Sequence, residues 1–242
     1  MKRSITIVGL LVFLIFISCE NADDLLKKGN ESFNQGNYEE ATVLYTRAIK
    51  IKPSKELYAS RGSAFSNLLK YNTAIEDLSA AINMDKDYYY AYFARGNAYY
   101  AIEDYEKAIK DLNFFTKFNT GNFEAYLILA SSLYMEEQDK SALDVINEAI
   151  NLDPERSNSY LIRGSIYLRN KYYSDARDDF NTVLKLEPEN SRAISSLAQI
   201  KELEDEEALA TLRRLFGNPT GDPYTDLYNF GYNLGMGALL GY

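Results

Sequence analysis

Small and large apolar residues recur at intervals of three and four along most of the chain, and the stretch 89–121 shows the pattern in full. Its apolar and small positions are Tyr92, Gly96, Tyr99, Tyr105, Ala108, Leu112 and Phe115. They lie on either side of a polar break at Glu103–Asp104, and this is the period of amphipathic helices, not of strands. The stretch therefore predicts two helices joined by a short turn.

Gly96 falls inside the first of these two helices. Glycine there costs roughly 1 kcal/mol relative to alanine, so we expect it to serve a close approach of the second helix. The pattern predicts Ala108 as the residue that meets it.

Four other stretches repeat this arrangement of large, small and charged residues. Close copies begin at Tyr58 and Tyr160, and looser ones at Leu25 and Tyr126. An alanine follows each small residue at the same offset, at positions 41, 74, 108, 142 and 176, in steps of 33 or 34 residues. The large apolar residues that come next are Tyr45, Leu78, Leu112, Ile146 and Phe180, and prolines 53, 154 and 188 close three of the units.

This pattern resembles the tetratricopeptide repeat, whose signature combines an aromatic residue, Leu-Gly, Tyr, Ala-x3-Phe and a closing Pro over 34 residues. The resemblance implies an all-α fold, a right-handed superhelical solenoid of five helix-turn-helix repeats with capping helices at its C-terminal end. The array is expected at 25–190, with repeats at about 22–54, 55–88, 89–122, 123–156 and 157–190. Leu or Tyr stands where the family usually has its first tryptophan, a residue that the chain lacks.

The first 18 residues have the composition of an export signal. Lys2 and Arg3 precede an apolar run from 5 to 17 that is too short for a comfortable membrane span. One interpretation is an ordinary secretion signal with an incidental cysteine. The other is a bacterial lipoprotein signal, because Phe16-Ile17-Ser18-Cys19 resembles a lipobox, and Cys19 is the single cysteine of the chain.

The lipobox resemblance implies cleavage before Cys19 and attachment of fatty acyl chains, such as palmitate, to its thiol and new amino group. Residues 19–24 would then form a short tether. The protein is expected to be exported and anchored by lipid to a bacterial cell-envelope membrane, on the periplasmic or surface side.

Two further segments follow the repeats. Residues 191–216 are predicted to form capping helices, one after Asn190 and another over 206–216, because a repeat array needs an amphipathic end. The tail 217–242 holds six glycines and five aromatic residues. It is either a frayed end or a docking element, in which Tyr224, Tyr228 and Tyr232 share one helical face.

The composition argues against several classes of function. A net charge of −9 disfavours nucleic acid as a partner, and the absence of histidine removes the commonest general base and metal ligand. The sequence also contains no phosphate-binding loop, no HExxH and no GxSxG. We therefore expect no enzymatic activity, no cofactor and no metal site.

The family resemblance places a binding groove on the first helix of each hairpin. The residues that it implies are Leu26, Asn30, Phe33, Phe93, Asn97, Tyr100, Leu127, Ser131, Tyr134, Leu161, Ser165 and Leu168, with Ala59, Ser63 and Ser66 in the second repeat. Leu26, Ala59 and Phe93 stand where the family's clamp for acidic C-termini needs cations, so that ligand is disfavoured. An apolar, aromatic wall with Asn and Ser side chains favours an apolar peptide.

The function predicted from these observations is a membrane-anchored adaptor or scaffold of the cell envelope. Its partner would be another protein, either a component of an envelope complex or a protein of the secretory pathway. The alternative is a lipoprotein that binds a small apolar ligand for a transport system.

An arginine before the small residue occurs together with an aspartate sixteen residues later. The pairs are Arg61 with Asp77, Arg95 with Asp111, and Arg163 with Asp179; Leu129 is matched by Val145 instead. Such co-variation within one chain predicts three structural salt bridges across the hairpins.

Overall fold

The computed structural model describes residues 21–216, which contain eleven helices and no strand. The helices are α1 (Ala22–Asn34), α2 (Tyr38–Ile51), α3 (Lys55–Asn67), α4 (Tyr71–Met84), α5 (Tyr89–Ala101), α6 (Tyr105–Phe118), α7 (Phe123–Met135), α8 (Asp139–Leu152), α9 (Ser157–Arg169), α10 (Tyr173–Leu186) and α11 (Ser191–Phe216). The all-α prediction is confirmed. The predicted signal, Cys19 and the tail from 217 lie outside the described residues.

The chain divides after Asp153 into two compact units. The first contains α1 to α8 and the second α9 to α11, and within each unit consecutive helices pack in pairs. Over 21–216 there is no helix with the length and apolar composition needed to cross a membrane.

Each of the five hairpins turns at a residue in the left-handed backbone region. These residues are Gly36, Leu69, Glu103, Glu137 and Lys171, with φ between 56° and 81°. The next N–H then donates to a carbonyl inside the first helix, as from Asp104 N to Tyr99 O at 3.0 Å. This 6→1 bond belongs to the Schellman motif, which ends a helix and reverses the chain.

The repeated alanines let the two helices of each pair approach closely. All five are fully buried, and so are the large residues Tyr45, Leu78, Leu112, Ile146 and Phe180 that follow them. Gly96 does serve a close approach, but its neighbour is Leu112 and not the expected Ala108. A Cβ at Gly96 would lie 2.8 Å from Leu112 Cγ, because the second helix directs its large side chain at the glycine.

The prediction of two capping helices needs a correction. Residues 191–216 form the single helix α11, with no break near 205. The stretch from Lys201 to Leu212 holds only Lys, Glu, Asp, Leu, Ala and Thr, without glycine or proline. Most of these residues favour helix, so nothing local stops the helix after its first half.

Candidate functional site

The first helices of the first three repeats line an open cavity of about 300 Å³ in the first unit. Helices α1, α3 and α5 supply most of its wall, and the start of α4 supplies the rest. The lining residues are Phe33, Ser63, Ser66, Asn67, Tyr71, Tyr90, Phe93, Ala94, Asn97, Ala98 and Ala101.

Two phenylalanines supply the large apolar surface of this cavity. The Phe93 ring lies 5.1 Å from the ring of buried Phe115, and the Phe33 ring lies 5.2 Å from the Tyr38 ring in an edge-on contact. Each ring is thus packed on one side by its own hairpin and remains partly accessible. Rings held in this way present apolar area with little further loss of side-chain entropy on binding.

Several hydrogen-bonding groups lie beside these rings. Ser63 Oγ and the Tyr90 hydroxyl are 3.2 Å apart, and Asn67 Nδ2 donates to the Ser63 carbonyl at 2.9 Å. Ser66 Oγ is buried and has no hydrogen-bond partner among the residues that the structure describes. A buried hydroxyl without a partner is energetically costly.

The structure brings some of the predicted groove residues together at this cavity and not others. Phe33, Phe93 and Asn97 line it, together with Ser63 and Ser66. Tyr100 does not, because its ring lies edge-on to Tyr105 of the following helix, 5.7 Å away.

The two remaining predicted residues of the first repeat take part in packing. Asn30 Oδ1 accepts a hydrogen bond of 2.8 Å from the buried Tyr45 hydroxyl, and Leu26 packs on the core of the first hairpin. Burial raises the pKa of Tyr45 to about 12, which keeps that hydroxyl protonated and able to donate.

The serines of the later repeats bond to their own helices. Ser131 Oγ donates to Leu127 O at 2.8 Å, and Ser165 Oγ donates to Leu161 O at 2.7 Å. Leu127, Ser131 and Tyr134 are half-buried on α7. In the second unit, Leu161 and Leu168 pack on the core formed by Phe180 and its neighbours. Both hydroxyls therefore use their hydrogen atom within the helix and do not donate it to a bound peptide.

Six cavity residues were not among the predicted groove residues: Asn67, Tyr71, Tyr90, Ala94, Ala98 and Ala101. Tyr90 could have been singled out from the sequence, because the corresponding positions of other repeats hold Glu56, Glu124 and Asn158. An aromatic residue at a position that is elsewhere polar indicates a feature of that one repeat. Tyr90 is 48% exposed, so the hairpin core does not account for it.

The structure brings each of the three predicted Arg–Asp pairs into contact. Arg95 donates from Nε and Nη2 to the two oxygens of Asp111 at 2.7 and 2.9 Å, and the other two pairs have the same bidentate geometry. The aspartates are buried. In the second repeat, the hydrogen bonds to Asp77 raise the pKa of Arg61 above its ordinary value.

Each of these guanidinium groups also lies against aromatic rings of its own helix. Arg95 Cζ is 5.7 Å from the Tyr92 ring centroid and 5.8 Å from that of Tyr99. In the fourth repeat the corresponding Leu129 is buried and Val145 is half-buried. The pairs therefore belong to the packing of each hairpin. Over the described range, no group of His, Cys, Asp and Glu side chains is placed to hold a metal ion.

Comparison with known proteins identifies the repeat. Two family models, both described as tetratricopeptide repeat, match residues 59–113 in one case and residues 25–55 and 157–190 in the other.

Curated relatives match over a short part of their length. DnaJ homolog subfamily C member 7 of Homo sapiens is 42% identical over 84 residues, which are 31% of this chain and 17% of that protein. Small glutamine-rich tetratricopeptide repeat-containing protein 2 of Saccharomyces cerevisiae is 39% identical over 72 residues, 29% of this chain and 21% of that protein. The matched region thus spans about a fifth of these relatives.

Two solved structures share the fold over most of their length. YrrB, described as a TPR protein with an unusual peptide-binding site, superposes with a TM-score of 0.68 at 17% identity, over 76% of this chain and 96% of that one. The structure of MamA from Desulfovibrio magneticus RS-1, residue 41 to the end, superposes with a TM-score of 0.66 at 21% identity. The match covers 70% of this chain and 97% of that one.

Proposed function

Because the chain belongs to the tetratricopeptide repeat family, we propose that it is an adaptor that binds an apolar peptide segment of another protein in the α1/α3/α5 cavity. Repeats of this family serve protein–protein interaction and are generally not enzymes. The single observation that carries the proposal is the cavity itself, where two anchored phenylalanines lie beside a buried hydroxyl without a partner.

The size and lining of the cavity favour a peptide over a small apolar ligand. Its volume of about 300 Å³ is at the low end of the range for small-molecule sites, roughly 300–1,000 Å³. Polar groups of Ser63, Asn67 and Asn97 line the cavity together with the phenylalanines. Such a lining suits one or two apolar side chains that enter between the rings while the peptide backbone bonds to amides and hydroxyls at the rim.

The proposed location is a bacterial cell envelope, with the chain held at the membrane by lipid on Cys19. The support is the sequence 1–19, in which an apolar run leads to a small residue and the single cysteine. Two or more acyl chains give stable anchoring where one does not. The partner is then a component of an envelope complex or a protein in transit through the envelope.

Replacing Phe93 with alanine is expected to weaken peptide binding by about thirtyfold, because a central aromatic anchor is worth about 2 kcal/mol. Peptides selected from a random library on the full chain in detergent serve as the probe, and their affinity is measured by fluorescence anisotropy. Tyr100→Ala is the matched control on the same helix. The Tyr100 ring packs on Tyr105 and not in the cavity. The affinity of the Tyr100→Ala variant for the selected peptides should therefore stay within about twofold of that of the parent chain.

A photo-crosslinking residue tests the same site without removing a contact. Placed at Asn97, at the edge of the cavity, it should form an adduct with the selected peptides. Placed at Val43, which is 58% exposed on α2, it should not. Equal losses in the Phe93 and Tyr100 variants, or equal adducts at the two positions, would contradict binding in this cavity.

Replacing Cys19 with serine is expected to abolish fatty acid attachment completely, since no other thiol exists in the chain. The measurement is incorporation of an alkyne-tagged palmitate during growth in a bacterial host, read on a gel. Ser18→Ala keeps a small residue before the cysteine and should retain the label. Label that persists in Cys19→Ser, or that is absent from the parent chain, would leave an ordinary secretion signal as the correct interpretation.

A further inference from the structure

Helix α11 begins as a sixth first helix but does not turn where a sixth hairpin would. The left-handed residues of the five hairpins occur at 36, 69, 103, 137 and 171, in steps of 33 or 34 residues. The next step leads to Asp205, which lies within α11. The second helix that would cover the first half of α11 is thus replaced by a straight continuation of the same helix.

One side of α11 packs on α9 and α10, the other two helices of the second unit. Ala193 and Ile200 are buried in the core of this unit, with Leu197 packed beside them. Further along, Glu204 pairs with Arg177, and Glu207 accepts a hydrogen bond from the Tyr173 hydroxyl at 3.2 Å. The orientation of the helix about its own axis is therefore set, and this determines which side is left open.

The open side carries a regular stripe of five apolar and two charged residues, here called the α11 seam. It consists of Ile194, Ala198, Lys201, Asp205, Ala208, Leu212 and Leu215, all exposed. The spacing alternates between four and three residues, which is the pattern of helices that pack side by side along their length. Ile194 is 51% exposed, Leu212 51% and Leu215 50%, and neighbouring Leu209 is 44% exposed.

We propose that the α11 seam is a self-association surface, on which α11 of a second copy of this chain packs in antiparallel orientation. In this arrangement the second half of each α11 covers the first half of the other, and each takes the place of the missing second helix. The pairing is two-fold symmetric, so both copies are covered at once and the assembly stops at a dimer.

The charges on the seam select the antiparallel direction. If Lys201 of one copy lies opposite Asp205 of the other, two ion pairs form, and Ile194 then faces Leu212. A parallel pairing in register would place Lys201 against Lys201 and Asp205 against Asp205, which is destabilising. The same antiparallel register sets Ala198 against Ala208, where two small side chains let the helices approach closely.

A cysteine pair distinguishes this dimer from every intramolecular arrangement. In a straight helix, positions 194 and 212 are about 27 Å apart, whereas a disulfide needs Cα atoms about 4.4–6.8 Å apart. The full chain with Cys19→Ser, Ile194→Cys and Leu212→Cys, oxidised in mild detergent, is expected to run as a covalent dimer on a non-reducing gel.

The matched control moves one cysteine by a single residue. Thr211 is exposed but lies off the seam, so Ile194→Cys with Thr211→Cys should give no more than about a tenth of the dimer. An intramolecular disulfide in the Leu212→Cys variant would mean that 206–216 folds back onto its own chain, which contradicts the proposal. Absence of any crosslink contradicts it too.

The mass of the particle in solution gives a second measurement that needs no cysteine. Light scattering on the full chain in detergent is expected to give two chains per particle for the parent and one for Leu212→Glu. Thr211→Glu, which places the same charge about 100° around the helix from Leu212, should remain dimeric. A parent chain that is monomeric at high micromolar concentration, or a Leu212→Glu variant that is still dimeric, would overturn the proposal.

Discussion

Replacing Asp111 with valine is expected to lower the free energy of unfolding by about 3–5 kcal/mol, the range found when one partner of a buried ion pair is removed. The Asp111 side chain is 4% exposed and that of Arg95 is 18% exposed. Without Asp111, the guanidinium remains between the Tyr92 and Tyr99 rings with no anion to accept its hydrogen bonds. Urea denaturation followed by circular dichroism measures the loss.

The double variant Arg95→Leu with Asp111→Val should recover most of this loss. The chain supplies the precedent, since its fourth repeat has Leu129 and Val145 at these two positions. An apolar pair of similar volume is often as stable as the buried ion pair that it replaces. The two single changes must therefore be strongly non-additive, and additive losses would contradict the interpretation.

Lys107 and Asp104 provide a control pair in the same hairpin. They form a salt bridge three residues apart with side chains that are 59% and 28% exposed. Breaking it with Lys107→Met should cost far less than Asp111→Val does, because the exposed Lys107 charge is solvated by water. A loss as large as that of Asp111→Val would show that the hairpin responds to any change of charge.

The repeat and its ion pairs are predictable from this sequence because each is determined by a fixed offset. Arg95 and Asp111 lie sixteen residues apart, with the turn of the hairpin between them, and the other two pairs have the same offset. Five copies of the pattern in one chain allow positions to be compared with each other. In the fourth repeat both members of the pair change together, to Leu129 and Val145. Such a joint change indicates that the two positions are neighbours, and no comparison with related proteins is needed to see it.

The cavity is less predictable because it depends on side-chain directions that offsets do not determine. Tyr100 occupies a groove position of its helix, but its ring turns towards Tyr105 and leaves the cavity to Phe93. Ser131 and Ser165 occupy similar positions and bond to their own backbone, which serines inside helices often do. Tyr90 joins the site because it is large where other repeats have Glu or Asn.

The length of the C-terminal helix is also poorly predicted by the repeat pattern. A turn is predicted near 205 if the repeat is extended by one more step, and the polar run from Glu202 to Glu207 is compatible with a turn. The same residues are good helix formers, and no glycine or proline interrupts them. Local propensity therefore decides in favour of one helix, as nothing in the sequence requires the chain to reverse there.

Replacing Phe180 with alanine is expected to lower the free energy of unfolding of the second unit by about 3–5 kcal/mol, the usual cost of removing a buried aromatic ring. Phe180 is fully buried and packs with Val183, Ala193 and Ile200. The space that it leaves cannot be refilled by rigid neighbours on two helices. Urea denaturation provides the measurement. Tyr172→Ala, at a ring that is 57% exposed, is the control and should change stability by about 0.5 kcal/mol at most.

The Gly164→Ala variant tests whether the packing of Phe180 on the neighbouring helix causes that loss, because the Phe180 ring lies over Gly164. A Cβ at Gly164 would be 2.9 Å from Phe180 Cε1 and 3.2 Å from Asp179 Cβ. Gly164→Ala should therefore destabilise the parent chain, since overpacking of about 1–3 kcal/mol exceeds the gain in helix propensity of about 1 kcal/mol. In the Phe180→Ala background the ring is gone, although the 3.2 Å approach to Asp179 Cβ remains, so the same substitution should cost clearly less than it does in the parent chain. A Gly164→Ala effect of equal sign and size in both backgrounds would mean that the two residues do not pack against each other.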